Sequence, residues 1–292
     1  MTVGDALQAG RERLRPASES PAADASRLLE AILARDAAWL LAHASDPLPA
    51  GAGERYTIAL ARRAAGEPLA YLTGSAGFYG RRFAVTPAVL VPRPESEHLV
   101  ELALARLTSF ERPVFCDVGT GSGVLAITLA CERPDAFGFA TDVSVEALAV
   151  ARSNAAAHGV ASRLEFRSGD LLEPLAGTGP FACIVANLPY VPSGDLAPAP
   201  DSTSFEPRRA LDGGPDGLAL YRRLLAHAPS LLQPGGSLLL EAAPATASAL
   251  AALAASAFGP AASVSTERDY GGRERVVAVA TPPAANASHS SA

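Results

Sequence analysis

The segment Val114-Phe115-Cys116-Asp117-Val118-Gly119-Thr120-Gly121-Ser122-Gly123 joins a short apolar run to three alternating glycines. Residues 124–130 follow with helical character, so the sequence predicts a strand, a glycine turn and a helix. Because glycine has no Cβ, such a turn can be tight and can let a ligand lie against the backbone. The helix start also offers free N–H groups to polar ligand atoms.

The spacing of these glycines is compatible with two kinds of ligand. Gly119-x-Gly121-x-Gly123 is expected for an adenosyl ligand bound without a pyrophosphate. The dinucleotide pattern G-x-G-x-x-G/A is matched as well, by Gly121-x-Gly123-x-x-Ala126. The glycines alone therefore do not identify the ligand.

An acidic residue stands at the end of the next predicted strand. Residues 137–141 predict that strand, and Asp142 follows 23 residues after Gly119. An acid about 20 residues beyond a glycine turn commonly binds ribose hydroxyls. Asp142 could instead cap a helix over 145–157, but the glycine turn upstream favours ribose binding.

A third signal follows the predicted strand 181–186, which runs into Asn187-Leu188-Pro189-Tyr190. An apolar strand ending in Asn-x-Pro-aromatic is typical of amino-group methyltransferases that use S-adenosylmethionine. An amide or ring amino nitrogen is a poor nucleophile because its lone pair is delocalised. The Asn187 side-chain oxygen and the next backbone carbonyl can accept its two N–H groups, and the ring of Tyr190 can stack on the planar group.

Strands and helices alternate regularly through this part of the chain, which predicts an α/β fold with a mostly parallel sheet and helices on both faces. The predicted strands lie near 113–118, 137–141, 163–167, 181–186, 237–241, 263–267 and 274–280. The predicted helices lie near 96–107, 122–132, 145–157 and 216–232. Because ligands bind beyond the carboxyl ends of parallel strands, we expect Gly119, Asp142, Asp170 and Asn187 to converge there, with Asp170 facing the adenine amino group.

The chain is predicted to have four parts. Residues 1–65 show apolar residues at helical spacing and predict a small helical bundle, and residues 66–94 are rich in Gly and Pro and predict a linking β-hairpin. Residues 95–280 form the α/β domain. Residues 281–292, rich in Pro, Ala and Ser, are expected to be disordered.

Composition narrows the partners of the protein. The net charge of −6 argues against a nucleic acid as its direct partner. The sequence contains no run of 18 apolar residues, so we expect no membrane span. Three cysteines in no metal spacing suggest buried free thiols in the cytoplasm. The five histidines form no ligand pair, so no metal is expected. We expect a monomer.

The chain resembles the peptide chain release factor glutamine methyltransferases, the HemK-like class I methyltransferases with a Rossmann-like sheet. The resemblance covers residues 3–280. Besides the glycine turn and Asn187–Tyr190, it rests on these stretches: Phe78-Tyr79-Gly80, Val91-Pro92-Arg93-Pro94-Glu95-Ser96-Glu97, Phe205-Glu206-Pro207-Arg208-Arg209-Ala210-Leu211, Asp216-Gly217-Leu218 and Arg268-Asp269-Tyr270-Gly271-Gly272-Arg273-Glu274-Arg275. The Pro-Arg-Pro-Glu and Arg-Asp-Tyr-Gly stretches are the most specific.

The resemblance implies methylation of the side-chain amide of the glutamine in the Gly-Gly-Gln loop of release factors, with S-adenosylmethionine as donor and the N-terminal helices helping to hold the release factor. The residues implied to contact the donor are Gly119, Thr120, Gly121, Ser122, Gly123, Asp142, Asp170, Leu171 and Asn187. Those implied to hold the glutamine amide are Asn187, Leu188, Pro189 and Tyr190, of which Asn187, Pro189 and Tyr190 carry the catalytic role.

The sequence departs from the family pattern at two places. Leu188 stands where Asn-Pro-Pro-Tyr has proline, and we expect this to be tolerated because position 188 supplies only its carbonyl and Pro189 biases it to the extended region. Residues 241–246 lack the usual Glu-x-Gly-x-x-Gln, which leaves the next helix start undefined.

Five other functions remain open at this point. Asn-Leu-Pro-Tyr also resembles ribosomal RNA adenine dimethyltransferases, and a DNA adenine poses the same chemical problem. A ribosomal-protein glutamine is another acceptor, although Pro94-Glu95 favours release factors. A nicotinamide dehydrogenase would leave Asn187–Tyr190 unexplained. A binding module that only retains the cofactor would not need an intact Asn187, Pro189 and Tyr190.

Overall fold

The computed structural model describes residues 1–196 and 202–284. The chain divides into two compact units. The first contains residues 1–76, 85–87 and, of the described part, 202–206; the second contains residues 77–84, 88–196 and 207–284. Most of the tail predicted to be disordered, residues 285–292, lies outside the described residues.

Among its described residues, the first unit contains five α-helices, which are α1 Val3–Leu14, α2 Pro21–Leu33, α3 Ala37–Ala42, α4 Ala52–Ala64 and α5 Leu69–Thr73. A capping box starts α1, where the Thr2 side chain accepts from the backbone N–H of Asp5 and the Asp5 side chain accepts from the backbone N–H of Thr2. Pro21 starts α2 at its first position, where the missing N–H costs no hydrogen bond.

The core of this unit is apolar and tightly packed. Its buried residues are Val3, Ala6, Leu14, Ala25, Leu28, Leu29, Leu40, Tyr56 and Leu60. The Tyr56 hydroxyl donates to the carbonyl oxygen of Ala25 at 3.0 Å. Two other apolar residues of these helices, Leu41 and Ile58, lie on the surface, 75% and 53% exposed.

The segment predicted as a linking hairpin contains that hairpin and one further helix. Strands β1 Ser75–Phe78 and β2 Arg81–Ala84 pair across Tyr79 and Gly80, both of which have positive φ. This is the geometry that a two-residue hairpin turn requires. Helix α5 was not predicted, since Gly66, Pro68 and Gly74 around it indicated a loop.

The second unit is an α/β domain around one seven-stranded sheet. Its elements are α6 Ser96–Leu107, β3 Val114–Val118, α7 Val124–Glu132, β4 Phe137–Asp142, α8 Val145–Ala157, β5 Leu164–Ser168, β6 Phe181–Ala186, α9 Ala219–Leu231, β7 Leu232–Glu241, α10 Ala247–Phe258, β8 Ser263–Arg268 and β9 Glu274–Ala280. The strand order is β5-β4-β3-β6-β7-β9-β8. The five neighbouring strands β5, β4, β3, β6 and β7 are parallel to one another. Strand β9 is antiparallel to both β7 and β8.

This architecture confirms the predicted mostly parallel sheet with helices packed around it. Two buried apolar clusters enclose the sheet, one including residues of α6 and α7 and the other residues of α9 and α10. Strand β6 is buried at all six positions, as a central parallel strand should be. The order places β3, β4 and β6 side by side, so the loops that follow them meet at one edge.

Three details differ from the sequence prediction. Helix α9 starts at Ala219, because Asp216 accepts the backbone N–H of Leu218 in a turn before the helix. Strand β7 starts at Leu232, before its two glycines, where it pairs with Phe181. No bounds were predicted for helix α10, whose start the departure at residues 241–246 left undefined, although its alanine-rich sequence has high helix propensity. Within the described residues, none of the helices has the length and apolarity needed to cross a lipid bilayer.

Candidate active site

The glycine turn after β3 has the conformation that its sequence predicts. Gly119, Gly121 and Gly123 have φ values of 74°, 56° and 83°, a region that other residues rarely adopt. A Cβ on Gly121 would enter open space, whereas one on Gly119 would lie 2.8 Å from the Leu188 side chain. The backbone N–H groups of Gly119 and Thr120 both donate to the carbonyl of Thr141 at 2.9 Å. The turn is therefore held to the neighbouring strand, with Gly121 at its open side.

The buried side chain of Asp117 holds the glycine turn in place through hydrogen bonds. Its Oδ2 accepts from the Thr120 hydroxyl at 2.7 Å and from the backbone N–H of Ala126, in the first turn of α7, at 3.2 Å. Its Oδ1 is buried without a hydrogen-bond partner among the described residues. Complete burial raises the pKa of Asp117 to about 7, although its two hydrogen bonds oppose the shift.

Asp142 links the end of β4 to the glycine turn. Its Oδ2 accepts from the backbone N–H of Gly121 at 2.9 Å, and its Oδ1 accepts from that of Ser144 at 2.8 Å. The cap of α8 is Ser144, whose hydroxyl accepts from Ala147. The capping role considered for Asp142 is therefore wrong. Each carboxylate oxygen keeps a lone pair for a further donor.

The next strand contributes Asp170 and Leu171. The Asp170 carboxylate pairs with the guanidinium of Arg223 on α9, and both side chains are partly exposed. Leu171 has a φ of 48°, and its carbonyl oxygen accepts from the Thr141 hydroxyl at 2.8 Å. This bond ties the loop after β5 to β4, while Arg223 takes up part of the acceptor capacity of Asp170.

Asn187 follows β6 and is connected to two buried side chains. Its Nδ2 lies 3.0 Å from the Ser96 hydroxyl oxygen, and that hydroxyl lies 2.6 Å from Oε2 of Glu241. Ser96 and Glu241 are 3% and 1% exposed. Burial raises the pKa of Glu241, while the hydrogen bond from Ser96 and the charge of Arg275 oppose the rise.

Leu188 is held through both its backbone and its side chain. Its carbonyl oxygen lies 3.1 Å from the hydroxyl of the buried Tyr221. Its side chain is 3% exposed and packs against the glycine turn at Gly119. The expectation that position 188 serves only through its carbonyl is therefore wrong, since this leucine also fills the space beneath the turn.

Tyr190 lies over Glu241, with its hydroxyl 3.4 Å from Oε1 of that residue. Burial, with the Glu241 charge second, raises the pKa of Tyr190 to about 12. The phenol is therefore neutral at physiological pH and can donate to the carboxylate.

One cavity collects most of the predicted site residues. Those among its lining residues are Gly119, Thr120, Gly121, Ser122, Asp142, Asp170, Leu171, Asn187, Leu188 and Pro189. Gly123 and Tyr190 do not line it: Gly123 instead lets α7 start close to Ala151 of α8. The predicted convergence of Gly119, Asp142, Asp170 and Asn187 at the edge of the sheet is what the structure shows.

Three residues that hold this site, Ser96, Tyr221 and Glu241, were not predicted as site residues from the sequence. Ser96 belongs to the Pro-Arg-Pro-Glu-Ser stretch, and Glu241 ends an apolar strand, so both stood in recognisable patterns. Tyr221 gave no signal, because an aromatic residue at helical spacing looks like any other core residue. Residues 88–90 also line the cavity, although they belong to the segment predicted as a linker.

The cavity has the features that an adenosyl ligand requires. Gly121 leaves the backbone open to a ligand, and the lone pairs of Asp142 can accept two ribose hydroxyls. Val89, Leu90, Val143 and Leu171 line the same cavity with apolar groups, against which a flat base can pack.

Comparison with known proteins identifies the family. Residues 5–74 match the model of the PrmC N-terminal domain, and residues 111–272 match that of a methyltransferase domain. A release factor glutamine methyltransferase of Cereibacter sphaeroides is 45% identical over 97% of this chain and 100% of its own length. The chain belongs to the release factor glutamine methyltransferase family. A second relative with that name, from Moorella thermoacetica, is 43% identical over 94% of this chain and 97% of its own length.

Solved structures agree with this family's fold. The T. thermophilus 16S rRNA methyltransferase RsmC, solved with AdoMet and guanosine, aligns with a TM-score of 0.51 and 19% identity, over 71% of this chain and 49% of that one. At that identity the similarity concerns the fold alone. The chain is thus a methyltransferase of the release factor glutamine methyltransferase family on a class I fold.

Proposed function

We propose that this protein transfers a methyl group from S-adenosylmethionine to the side-chain amide nitrogen of the glutamine in the Gly-Gly-Gln motif of peptide chain release factors. The observation that carries the proposal is the position of Asn187 in the cavity, next to the glycine turn, with its amide anchored through Nδ2. Membership of the family supports the choice of acceptor. We place the reaction in the cytoplasm, where release factors act.

The donor is assigned to the glycine turn and its neighbours. Residues 119–122, which line the cavity, approach it with backbone groups, Asp142 accepts from its ribose hydroxyls, and Asp170 with Leu171 faces its adenine. Gly123 contributes by letting α7 start directly behind the turn. S-adenosylmethionine supplies a methyl group on a positively charged sulfur, which is already a good leaving group. The protein therefore needs no nucleophile of its own and acts by placing the two reactants in line.

The acceptor amide is assigned to Asn187–Tyr190. One N–H of the glutamine amide donates to Asn187 Oδ1 and the other to the Leu188 carbonyl, while Pro189, which lines the cavity, borders its plane. Tyr190 supports this segment from outside the cavity lining, through its hydroxyl at Glu241. The two hydrogen bonds orient the nitrogen lone pair toward the methyl group. As the new N–C bond forms, the S–C bond breaks, and the nitrogen then loses one proton to water. Positioning and hydrogen bonding account for this chemistry.

The N-terminal helices, residues 1–65, are assigned to holding the release factor. Their match to the PrmC N-terminal domain supports this role. Deleting residues 1–65 should raise KM for the release factor while leaving the Kd of S-adenosylmethionine unchanged. An equal loss of both would show that these helices serve the stability of the chain.

The function is tested by locating the transferred methyl group. The purified protein is incubated with methyl-labelled S-adenosylmethionine and a release factor, and the labelled peptide is sequenced by mass spectrometry. We expect one methyl group on the Gly-Gly-Gln glutamine and none on a release factor with that glutamine changed to alanine. Ribosomal RNA and ribosomal proteins are tested in parallel, and label on either of them in place of the release factor would contradict the proposal.

A further inference from the structure

Three side chains from three separate elements form a hydrogen-bonded chain behind the cavity. Asn187 follows β6, Ser96 starts α6, and Glu241 ends β7. The distances are 3.0 Å from Asn187 Nδ2 to Ser96 Oγ and 2.6 Å from Ser96 Oγ to Glu241 Oε2. Ser96 and Glu241 are almost completely buried, while Asn187 lines the cavity together with Ser96.

The chemistry of these groups fixes the direction of each hydrogen bond. An ionised carboxylate only accepts, so the single proton of the Ser96 hydroxyl must point at Glu241. The oxygen of Ser96 can then only accept a bond from Asn187. The amide group of Asn187 must therefore turn its NH₂ toward Ser96, and its carbonyl oxygen is left on the other side.

We propose that Ser96 and Glu241 are positioning residues, which hold the Asn187 amide in the one orientation that presents Oδ1 to the acceptor substrate. An amide can rotate by 180° with little change in shape, and its two ends differ only in hydrogen-bonding character. In the reversed orientation Asn187 would point N–H groups at the N–H of the substrate. Donor would face donor, and the acceptor nitrogen would lose one of its two anchors.

Glu241 determines which way the Ser96 hydroxyl donates, and therefore which way the Asn187 amide is turned. A hydroxyl alone can donate or accept, so Ser96 without the carboxylate would tolerate both amide orientations. The Tyr190 hydroxyl lies at the other carboxylate oxygen, 3.4 Å from Oε1, and leaves Oε2 to Ser96. Burial raises the pKa of Glu241, and the hydrogen bond from Ser96 and the positive charge of Arg275 oppose that rise by favouring the ionised carboxylate.

The inference rests on the proposed function only for its kinetic consequence. The orientation of the Asn187 amide can be measured in the free protein without any methyl acceptor. The chain has three asparagines, Asn154, Asn187 and Asn286. Labelling asparagine with ¹⁵N in the side-chain amide therefore gives three NH₂ signals, and the signal missing from Asn187→Ala belongs to Asn187.

Asn154 serves as the internal control. Its Nδ2 donates to the carbonyls of Ala84 and Ser122, and its Oδ1 accepts from the backbone N–H of Ala84, all within 3.0 Å. These bonds do not involve Ser96 or Glu241. An unchanged Asn154 signal shows that a variant keeps its fold. Ser237→Ala is the matched control substitution, because Ser237 is also a buried serine, 2% exposed, and lies on β7 with Glu241.

The variants are Ser96→Ala, Ser96→Thr and Glu241→Gln, examined by ¹⁵N NMR and solvent exchange of the NH₂ protons. In Ser96→Ala we expect the Asn187 NH₂ to shift and to exchange about tenfold faster, since its acceptor is gone. Ser96→Thr keeps a hydroxyl and should restore the wild-type signal. Glu241→Gln leaves Ser96 in place but introduces a donor beside it, so the Asn187 signal should move here too. Ser237→Ala should leave it unchanged.

Kinetics with the release factor then measure what the orientation contributes. Ser96→Ala and Glu241→Gln should each lower kcat about 10–100-fold, the scale of losing one well-placed hydrogen bond to the reacting group. The Kd of S-adenosylmethionine should stay within twofold, and Ser96→Thr should recover most of kcat. A purely structural role would instead weaken cofactor binding and turnover together.

Two results would overturn the proposal. One is an Asn187 signal that does not respond to Glu241→Gln, which would mean that the carboxylate does not direct the amide. The other is a kcat of Ser96→Ala within twofold of wild type despite a shifted Asn187 signal. If the wild-type protein failed to methylate release factors while the NMR changes appeared as described, the proposed function would be wrong and the orientation of Asn187 by Ser96 and Glu241 would stand.

Discussion

The hydroxyl of Tyr221 lies 3.1 Å from the carbonyl oxygen of Leu188, inside the domain and away from solvent. The same hydroxyl approaches the carbonyl oxygen of Glu241, so its single O–H is shared between the two carbonyls and joins the loop after β6 to the end of β7. Leu188 is the residue whose carbonyl we assign to the second N–H of the acceptor amide. Tyr221 thus holds the backbone on one side of the substrate site, as Ser96 holds the side chain of Asn187 on the other.

Tyr221→Phe should therefore reduce both stability and turnover. Losing a buried hydroxyl that bonds to carbonyl groups should lower the free energy of unfolding by about 1–2 kcal/mol. Because the Leu188 carbonyl would be less well fixed, kcat should fall about tenfold, with little change in the Kd of S-adenosylmethionine. Urea unfolding and steady-state kinetics measure the two effects.

Tyr56→Phe is the matched control for this substitution. Tyr56 is also a buried tyrosine, and its hydroxyl also donates to a backbone carbonyl, that of Ala25 in the N-terminal helices. It should lose a similar amount of stability and keep its kcat. If both variants lost kcat equally, the effect of Tyr221 would reflect general destabilisation.

Asn187→Ala should abolish methyl transfer while cofactor binding persists. The substitution removes the side-chain oxygen assigned to the acceptor amide but leaves the glycine turn and Asp142 intact. Turnover should fall by at least about 100-fold, the scale of removing one preorganised group from the reacting centre. Single-turnover methylation measures the rate of methyl transfer, and calorimetric titration measures the Kd of S-adenosylmethionine. Turnover near the wild-type rate would remove Asn187 from the mechanism.

Asp142→Ala should weaken binding of S-adenosylmethionine by about 1.5–3 kcal/mol, the scale of hydrogen bonds to a charged group. Part of this loss comes from the turn, because the backbone N–H of Gly121 also donates to Asp142. Asp170→Ala should cost less, since Arg223 already engages that carboxylate and both side chains are partly exposed. Titration of the two variants side by side measures the difference. Equal losses would contradict the assignment of the ribose to Asp142.

Much of the α/β domain could be predicted from the sequence because its central strands are buried on both sides. The apolar runs before Gly119, Asp142 and Asn187 do not alternate with polar residues, so their boundaries are clear in the sequence. Each run is followed by a glycine or a polar residue that marks the end of the strand. Once these strands are known to be parallel, their carboxyl ends must share one edge of the sheet. The collection of site residues follows from that geometry.

The contacts that hold the site could not be predicted, because they join residues far apart in sequence. Ser96 and Glu241 are separated by 145 positions, and their hydrogen bond depends on where α6 packs against the end of β7. The pairing of Asp170 with Arg223 depends in the same way on the path of α9. Helix α5 was missed for a different reason, since local glycine and proline signals gave way to tertiary packing of Leu69 and Leu72 on the N-terminal core.

Asp117 should make the protein less stable as pH rises from about 4 to about 7. Its pKa is about 7 in the folded protein, against 3.8 for an unperturbed aspartate. Between these values the folded state retains a proton that the unfolded state has lost, so deprotonation favours unfolding as pH increases. Above about pH 8, where Asp117 is ionised in both states, the effect is constant. Since a tenfold difference in proton affinity corresponds to about 1.4 kcal/mol, this residue alone should cost about 3 kcal/mol between pH 5 and pH 8.

Asp117→Asn isolates this contribution, because the amide does not titrate and its oxygen can still accept from Thr120 and Ala126. Urea unfolding of both proteins at pH 5 and pH 8 gives four free energies of unfolding. All other titrating groups are shared by the two proteins and largely cancel in the difference. The wild-type protein should lose about 3 kcal/mol more than the variant on going to pH 8. An identical change in both proteins would mean that Asp117 is already ionised at pH 5, and that its buried Oδ1 is stabilised by a donor such as a water molecule.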